Sequence, residues 1–502
     1  MTWLHSAQAM TPIRDDRGVR LLLALAAVAT LLGLWFAFAG LGARALWLDE
    51  AFSVHDAQRP LLDMLAMRSD RGAALHPPVY PALLRASIQV CGTSEVCVRA
   101  PSALAAAGAC GALVMLAGRL FGWVTAITAA WLWPTLPYLL KYAQQARGYT
   151  LLLLLTAVAL LLVGRTLGAW GNPAHRRLAA AGLGLCVAAM VGTHLLAGAF
   201  VAPLGLVAVL FTRRATPDVR KDVRRSLAVA AVGILPLGLA FFGAAGGDGG
   251  GRFASTAGPS TKVAELAVAL VTLSTYTPVV PVLLLAAVFF TPARARRLVL
   301  VGLGLAVVPL APLLLRTPAH FLVLRYFMPS VAVAGTLACA GVAAAFAAPA
   351  RLPVRLPATV SLALGLLLAV VPARMLGQAQ AANLERRARA RSLEPWDEAA
   401  AWIDARATTD SVLVLVPHRI LQTPLEVYPV APAIVSDDPD ALLERLRDES
   451  PSRVFVLWSH IDSRAREKGL NAVLGIFGRA RYRPADNKAF GKRAIIVKQY
   501  DR

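Results

Sequence analysis

Acidic side chains are scarce in this chain. Across 502 residues, 29 Asp and Glu stand against 51 Lys and Arg, a formal net charge of +22. In a water-soluble chain that balance suggests nucleic acid. Here most Arg and Lys fall in short clusters between apolar runs, the pattern of cytoplasmic loops under the positive-inside rule, and nucleic acid is set aside as a partner. Cysteine is also scarce, with five residues. Cys110, Cys186 and Cys339 lie inside apolar runs and read as small packing residues. No Cys-x-x-Cys spacing offers a metal site. Cys91 and Cys97 share one polar segment and can form a disulfide if it faces an oxidising compartment. A nucleotide fingerprint is missing as well: the glycine run from Gly246 to Gly251 follows no strand and precedes no Gly-Lys-Ser/Thr. There is no internal repeat and no pair of broken helices, which many transporter folds show. No cleavage site follows the first apolar run, so it reads as a membrane span and not a signal peptide.

What is abundant is apolar surface. Apolar residues make up 57% of the chain and the mean hydropathy is +0.60, above the roughly 45–50% apolar share of soluble domains. Repeated apolar runs of about 20 residues suit membrane helices and not barrel strands. The expected architecture is an α-helical polytopic membrane protein with about eleven spans over 1–375, followed by a small α/β extracytoplasmic domain over 376–502. Arg14 and Arg17 place the N-terminus in the cytoplasm, and span 1 (about 20–41) exits outward into a first outer loop of about 42–98. Within that loop, 50–68 suits a helix on the membrane surface, and 81–91 is too short for a confident span. The segment 213–225, with Arg213, Arg214, Arg220, Lys221, Arg224 and Arg225, reads as the strongest cytoplasmic loop. In the C-terminal part, 411–416, 453–458 and 494–498 read as strands, with helices at 396–408 and 439–448.

This topology brings Asp49, Glu50, His76, Arg99, Tyr142, Gln144, Arg147, His194, Arg325 and Tyr326 to one face of the membrane. Ionisable groups at a membrane boundary are costly unless they serve a site or an interface. Asp49 and Glu50 stand just after the first span, within Trp47-Leu48-Asp49-Glu50-Ala51-Phe52-Ser53. They either cap the helix that follows or act as acid/base on a lipid-linked substrate. Arginine opposite them suits an anionic phosphate, which it contacts in a bidentate manner. Each basic residue also has a plainer reading: Arg99 and Arg147 as snorkelling boundary charges, His76-Pro77-Pro78 as a turn, His194 as a tight-turn residue.

Five ordered motifs carry a resemblance: Trp-Leu-Asp-Glu-Ala-Phe-Ser at 47–53, His-Pro-Pro-Val-Tyr at 76–80, Val-Arg-Ala-Pro-Ser-Ala-Leu at 98–104, Gly-Arg-Leu-Phe-Gly at 118–122 and Tyr-Ala-Gln-Gln-Ala-Arg-Gly-Tyr at 142–149. Together they resemble the bacterial branch of the protein O-mannosyltransferase superfamily, which includes the lipid A aminoarabinose transferases, glycosyltransferases of the GT-C fold. The resemblance is strong over about 45–210, weaker at Arg325-Tyr326, and absent beyond the membrane part. It implies a polyprenyl-phosphate sugar donor, an inverting transfer on the outer face of a bacterial inner membrane, and a lipid, glycan or protein acceptor. It makes Asp49 the base, accompanied by Glu50, and puts His76, Arg325 and Tyr326 near the donor phosphate. Arg99, Tyr142, Arg147 and His194 join the substrate-binding set from their shared face. No cofactor is indicated; a divalent metal stays open without residues that point to one. Many relatives carry a second acid near the end of span 3, where this chain reads Gln144-Gln145-Ala146-Arg147, which favours a single base. The alternative from another class is a transporter or flippase that moves a lipid-linked sugar without chemistry.

Overall fold

The computed structural model describes residues 10–67, 76–213, 215–245, 280–308, 324–347, 395–416, 418–435, 438–459, 470–477, 480–490 and 495–502. The expected span at 357–374, the glycine-rich loop after Gly246 and the basic stretch 384–392 lie outside them.

The membrane part is a bundle of helices: α1 (Asp16–Phe38), α2 (Leu48–Gln58), α3 (Leu61–Leu65), α4 (Val79–Cys91), α5 (Glu95–Phe121), α6 (Trp123–Thr135), α7 (Pro137–Ala143), α8 (Tyr149–Thr166), α9 (Arg176–Thr193), α10 (Gly198–Thr212), α11 (Pro217–Ala245), α12 (Val280–Phe290), α13 (Ala293–Val307) and α14 (Met328–Ala347). Among the described residues, seven helical segments are long and apolar enough to cross a membrane: 16–38, 95–121, 149–166, 173–193, 195–212, 217–241 and 328–345. The chain is a multi-pass membrane protein. The central element is α5, which packs against α1, α6 and α8. Its small residues Ala103, Ala106, Ala109, Cys110 and Ala117 are buried and let the neighbouring backbones come close, as membrane helix packing requires. By contrast, Leu21, Leu31 and Trp35 of α1 are exposed on the outside of the bundle, where lipid would solvate them.

Three local departures from the sequence expectation have simple causes. Span 3 is two helices, α6 and α7, because Pro137 lacks an N–H and holds Leu136 extended (φ −65°, ψ 114°). The surface helix 50–68 divides into α2 and α3 at Pro60 for the same reason. The basic segment 213–225 is not all loop: α11 starts at Pro217 and carries Arg220, Lys221, Arg224 and Arg225. The buried Asp222 anchors that turn, accepting from Arg176 Nε and Arg225 Nη1 at 2.6 Å each. As for α4, 13 residues span about 20 Å, short of a bilayer core. It lies against α2, α5 and α9.

The C-terminal part folds on a five-stranded mixed sheet of order β2-β1-β3-β5-β4. The strands are β1 (Val412–Val416), β2 (Ala433–Val435), β3 (Arg453–Ser459), β4 (Arg483–Phe490) and β5 (Ile495–Asp501). β1 pairs in parallel with β2 and β3, while β5 runs antiparallel to β3 and β4. The unbroken apolar runs of β1 and β3 follow from burial on both faces. Val412, Val414 and Val456 pack with Leu442 and Leu446 of α17 (Pro439–Asp448). Leu413, Leu415, Phe455 and Leu457 pack with Trp396 and Ile403 of α15 (Trp396–Asp404). A further helix, α16 (His418–Val427), lies against α2, so the C-terminal part rests on the segment that follows the first span.

Candidate active site

The two adjacent carboxylates have different fates. Both stand in the first turn of α2, where the helix dipole favours negative charge. Glu50 turns inward. Its side chain is 1% exposed and meets Arg99, 4% exposed, in a two-pronged pair: Arg99 Nε to Oε1 at 2.8 Å and Nη2 to Oε2 at 2.7 Å. It also accepts from the backbone N–H groups of Ala146 (2.8 Å) and Trp47 (3.2 Å). Arg99 spends its remaining donors on the carbonyls of Leu41, Arg44 and Ala45, at 2.8–2.9 Å. All five guanidinium N–H groups are thereby used, and none is left for a phosphate. Glu50 and Arg99 lock the 41–50 segment onto α5 and the 146 turn. The helix-capping reading therefore describes Glu50, through its bond to the Trp47 N–H.

Asp49 faces the other way. Its side chain is 28% exposed, with Oδ2 3.7 Å from Arg147 Nη2 and 3.9 Å from Arg325 Nη2. Each guanidinium lies 5.9 Å from the centre of the Tyr149 ring, within cation–π range. Arg147 Nη1 reaches the Asp49 carbonyl (3.2 Å), Ser53 Oγ (3.3 Å) and His76 Nε2 (3.2 Å). The tight turn before α8 places Arg147. A Cβ on Gly148 would stand 2.8 Å from Thr193 Cγ2 and 3.1 Å from Tyr80 Cβ, so only glycine lets this turn nest between α4 and α9. Arg325 arrives on a short 3-10 turn (Leu324–Phe327) that leads into α14. That turn also holds Tyr326.

His76 sits in the same cluster, its Nδ1 2.6 Å from Asp56 Oδ2. Burial pushes the Asp56 carboxyl up, but the hydrogen bond from His76, with the charge and hydrogen bond of Arg59, outweighs it and holds the group below its usual value. His194 closes the cluster at the turn between α9 and α10. Burial, with the positive charge of Arg147 and Arg325 nearby, pushes its pKa down to about 3. The ring is therefore neutral, and its Nδ1 accepts the Leu196 N–H at 3.3 Å. Tyr142 stands one layer back, buried edge-on against Tyr149 (5.3 Å between centroids) and Tyr138 (5.0 Å), where it supports the Tyr149 ring. Gln144 binds Arg44 and the carbonyls of Ala37 and Ala39, so it fixes the end of α1. Cys91 and Cys97 are joined as a disulfide across the α4–α5 turn, with Cα atoms 5.9 Å apart. Gly92, at φ +81°, makes that turn. Among the described residues, no three His, Cys, Asp or Glu side chains group as metal ligands would.

Four contributors were missed from the sequence. Asp56 and Ser53 follow Asp49 at i+7 and i+4, a polar stripe on one face of α2 that could have been read. Tyr149 and Tyr428 carry no such signal. The Tyr428 hydroxyl accepts from the Leu46 N–H and donates to Glu95, at 2.8 Å each. His55 Nδ1 pairs with Glu426 Oε2 at 3.2 Å. Through these contacts the C-terminal part holds the segment around Asp49.

The fold that carries this cluster recurs among solved structures. ArnT from Cupriavidus metallidurans in the apo state superposes with a TM-score of 0.56 at 16% identity, over 96% of this chain and 97% of that one. The same protein bound to undecaprenyl phosphate gives 0.53 at 14% identity, over 97% and 98%. Arabinofuranosyltransferase AftD from Mycobacteria gives 0.54 at 17% identity, over 98% of this chain and 40% of that one. The chain thus has the fold of the GT-C superfamily of membrane glycosyltransferases. Within it, residues 75–238 match the family model of the dolichyl-phosphate-mannose-protein mannosyltransferases. No curated protein matches the sequence. The fold-level likeness to ArnT covers 96% of this chain and so reaches beyond the membrane part, where the sequence motifs had shown no resemblance.

Proposed function

We propose that this protein transfers a sugar from a polyprenyl-phosphate donor to an acceptor hydroxyl at the extracytoplasmic side of the membrane, with inversion and with Asp49 as base. One observation carries the reading: the partly exposed Asp49 carboxylate lies between the Arg147 and Arg325 guanidiniums. Two positive groups and one negative leave the cluster one net positive charge, which a phosphodiester donor matches. As the bond from the anomeric carbon to the phosphate breaks, the leaving phosphate gains a second negative charge. The arginines bind that charge more strongly than the ground state, and differential binding of this kind lowers a barrier. Asp49 accepts the acceptor's proton as its oxygen attacks from the opposite side. The neutral His194 adds no charge beside the phosphate. Glu50 and Arg99 act as the frame that holds Asp49 in place, and Tyr149 spaces the two arginines.

The test is release of free undecaprenyl phosphate from undecaprenyl-phosphate-linked mannose, aminoarabinose or arabinofuranose by the purified full chain in lipid nanodiscs, with an added cell-envelope extract supplying the acceptor hydroxyl and water the background acceptor. Wild type is expected to release it. Asp49→Asn is expected to slow release by roughly 10² or more, the contribution of a positioned base. Movement of the intact donor across a vesicle without cleavage would instead support a transporter, and an Asp49→Asn variant working at the wild-type rate would remove Asp49 as base.

A further inference from the structure

The line of contacts Asp56–His76–Arg147–Asp49 has a direction, and the direction is set by the guanidinium. An arginine N–H only donates, so in the 3.2 Å contact with Arg147 Nη1, His76 Nε2 is the acceptor. Nε2 therefore carries no proton. The ring proton stands on Nδ1, which donates to Asp56 Oδ2 at 2.6 Å. The other Asp56 oxygen accepts from Arg59 at 3.3 Å, and the Arg59 and Ala57 carbonyls accept from Arg85 of α4 at 2.7 and 3.3 Å. The Asp56 end is thus tied down on both sides, and Asp56 itself is buried.

We propose that Asp56 is a positioning residue: it fixes the tautomer of His76, and His76 in turn holds the Arg147 guanidinium where a donor phosphate meets it. This rests on the proposed function and names one device by which that site is built. A carboxylate accepts only, so it selects the Nδ1–H tautomer. An amide in its place can donate to Nδ1 as easily as accept, and a ring that answers with a proton on Nε2 turns a donor against the guanidinium. Arg147 would then lose one of the three acceptors that its two Nη1 protons share, meet a donor in its place, and lose its aim at the phosphate. The device also shows how a chain without a carboxylate at 144–147 aims its arginine there, by reaching across from α2 through a histidine.

The experiment is a double-mutant cycle read by binding, with undecaprenyl phosphate alone as the probe and the full chain in nanodiscs. Asp56→Asn should weaken binding by roughly tenfold or more, the scale of one charge-assisted hydrogen bond. Asp56→Glu should return it to within about threefold. In a His76→Gln background, where the amide oxygen accepts from Arg147 without help from Asp56, Asp56→Asn should change binding little. If Asp56→Asn costs as much in that background as in wild type, Asp56 acts through Arg59 or the general fold, and the proposal fails. His76→Gln should also bind better than His76→Ala, whatever becomes of the Asp56 variants; equal loss in both overturns the proposal. Binding is measured without turnover, so a protein that binds undecaprenyl phosphate but cleaves no donor would sink the proposed function, whereas additivity in the cycle would sink only this inference.

Discussion

Glu50→Gln should damage the fold, and Asp49→Asn should damage the chemistry. The two carboxylates are adjacent in sequence, so the pair of variants separates the two roles. Glu50 accepts four hydrogen bonds, two from Arg99 and one each from Ala146 and Trp47, all between 2.7 and 3.2 Å. Glutamine keeps one acceptor oxygen and sets an NH2 against donors. The charge of Arg99 is then buried with only carbonyls around it. Removing one partner of a buried ion pair costs about 3–5 kcal/mol, a loss of roughly two to three and a half decades in the folded-to-unfolded ratio. Against a typical total of about 5–15 kcal/mol this is a large fraction. Asp49 is 28% exposed and its nearest charges are 3.7 and 3.9 Å away, so its loss as a partner should cost about 1 kcal/mol or less. Thermal unfolding in detergent, paired with release of undecaprenyl phosphate per folded molecule, tests both. The expected pattern is a lower unfolding temperature for Glu50→Gln with turnover retained by the folded fraction, and a near-normal temperature for Asp49→Asn with turnover down by roughly 10² or more. A stable but inactive Glu50→Gln would refute the assignment of Glu50 as frame.

Three further outcomes follow from the same geometry. Tyr428→Phe removes a hydroxyl that serves the Leu46 N–H and Glu95; leaving those groups without it should cost about 1–3 kcal/mol, read as faster amide exchange over 44–50 and easier proteolytic release of the C-terminal part. Arg325→Lys replaces a planar fork with a point charge and should lower kcat roughly tenfold with a smaller rise in the KM for donor, because the contact is strongest in the transition state; an unchanged kcat would remove Arg325 from the stabilisation of the leaving phosphate. His194 has a native pKa of about 3 against 6.5 in its unperturbed state, so between those values the unfolded chain takes up a proton that the native ring refuses. Stability should therefore fall as pH drops from 6.5 towards 3, and His194→Asn, which keeps an acceptor for the Leu196 N–H, should lose less thermal stability between pH 7 and pH 4.5 than wild type does.

The sequence made the membrane helices legible because hydropathy reports a solvent, and a bilayer demands about 20 apolar residues wherever a helix crosses it. It was less informative where backbone chemistry decides, as at Pro137, which splits span 3, and at Pro217, where α11 begins inside a basic stretch read as loop. β1 and β3 were readable because both of their faces are buried, whereas β4 is exposed from Arg483 to Ala489 and β2 has three residues, too few for a pattern. The site shows the same division. Charge and topology brought Asp49, His76, Arg147, His194 and Arg325 to one face, and the structure gathers them around Tyr149. What charge could not show was which ions are already paired. Glu50 and Arg99 are as charged in the sequence as Asp49 and Arg147, yet one pair is buried and fully used while the other is partly exposed and loosely paired. The difference lies in spacing along α2. Asp49, Ser53 and Asp56 recur at i, i+4 and i+7 and share one face, whereas Glu50 is turned about 100° away. In α2 the two neighbours part ways, Glu50 buried against Arg99 and Asp49 left partly exposed, so the pair Asp49-Glu50 divides into one anchor and one proposed working group.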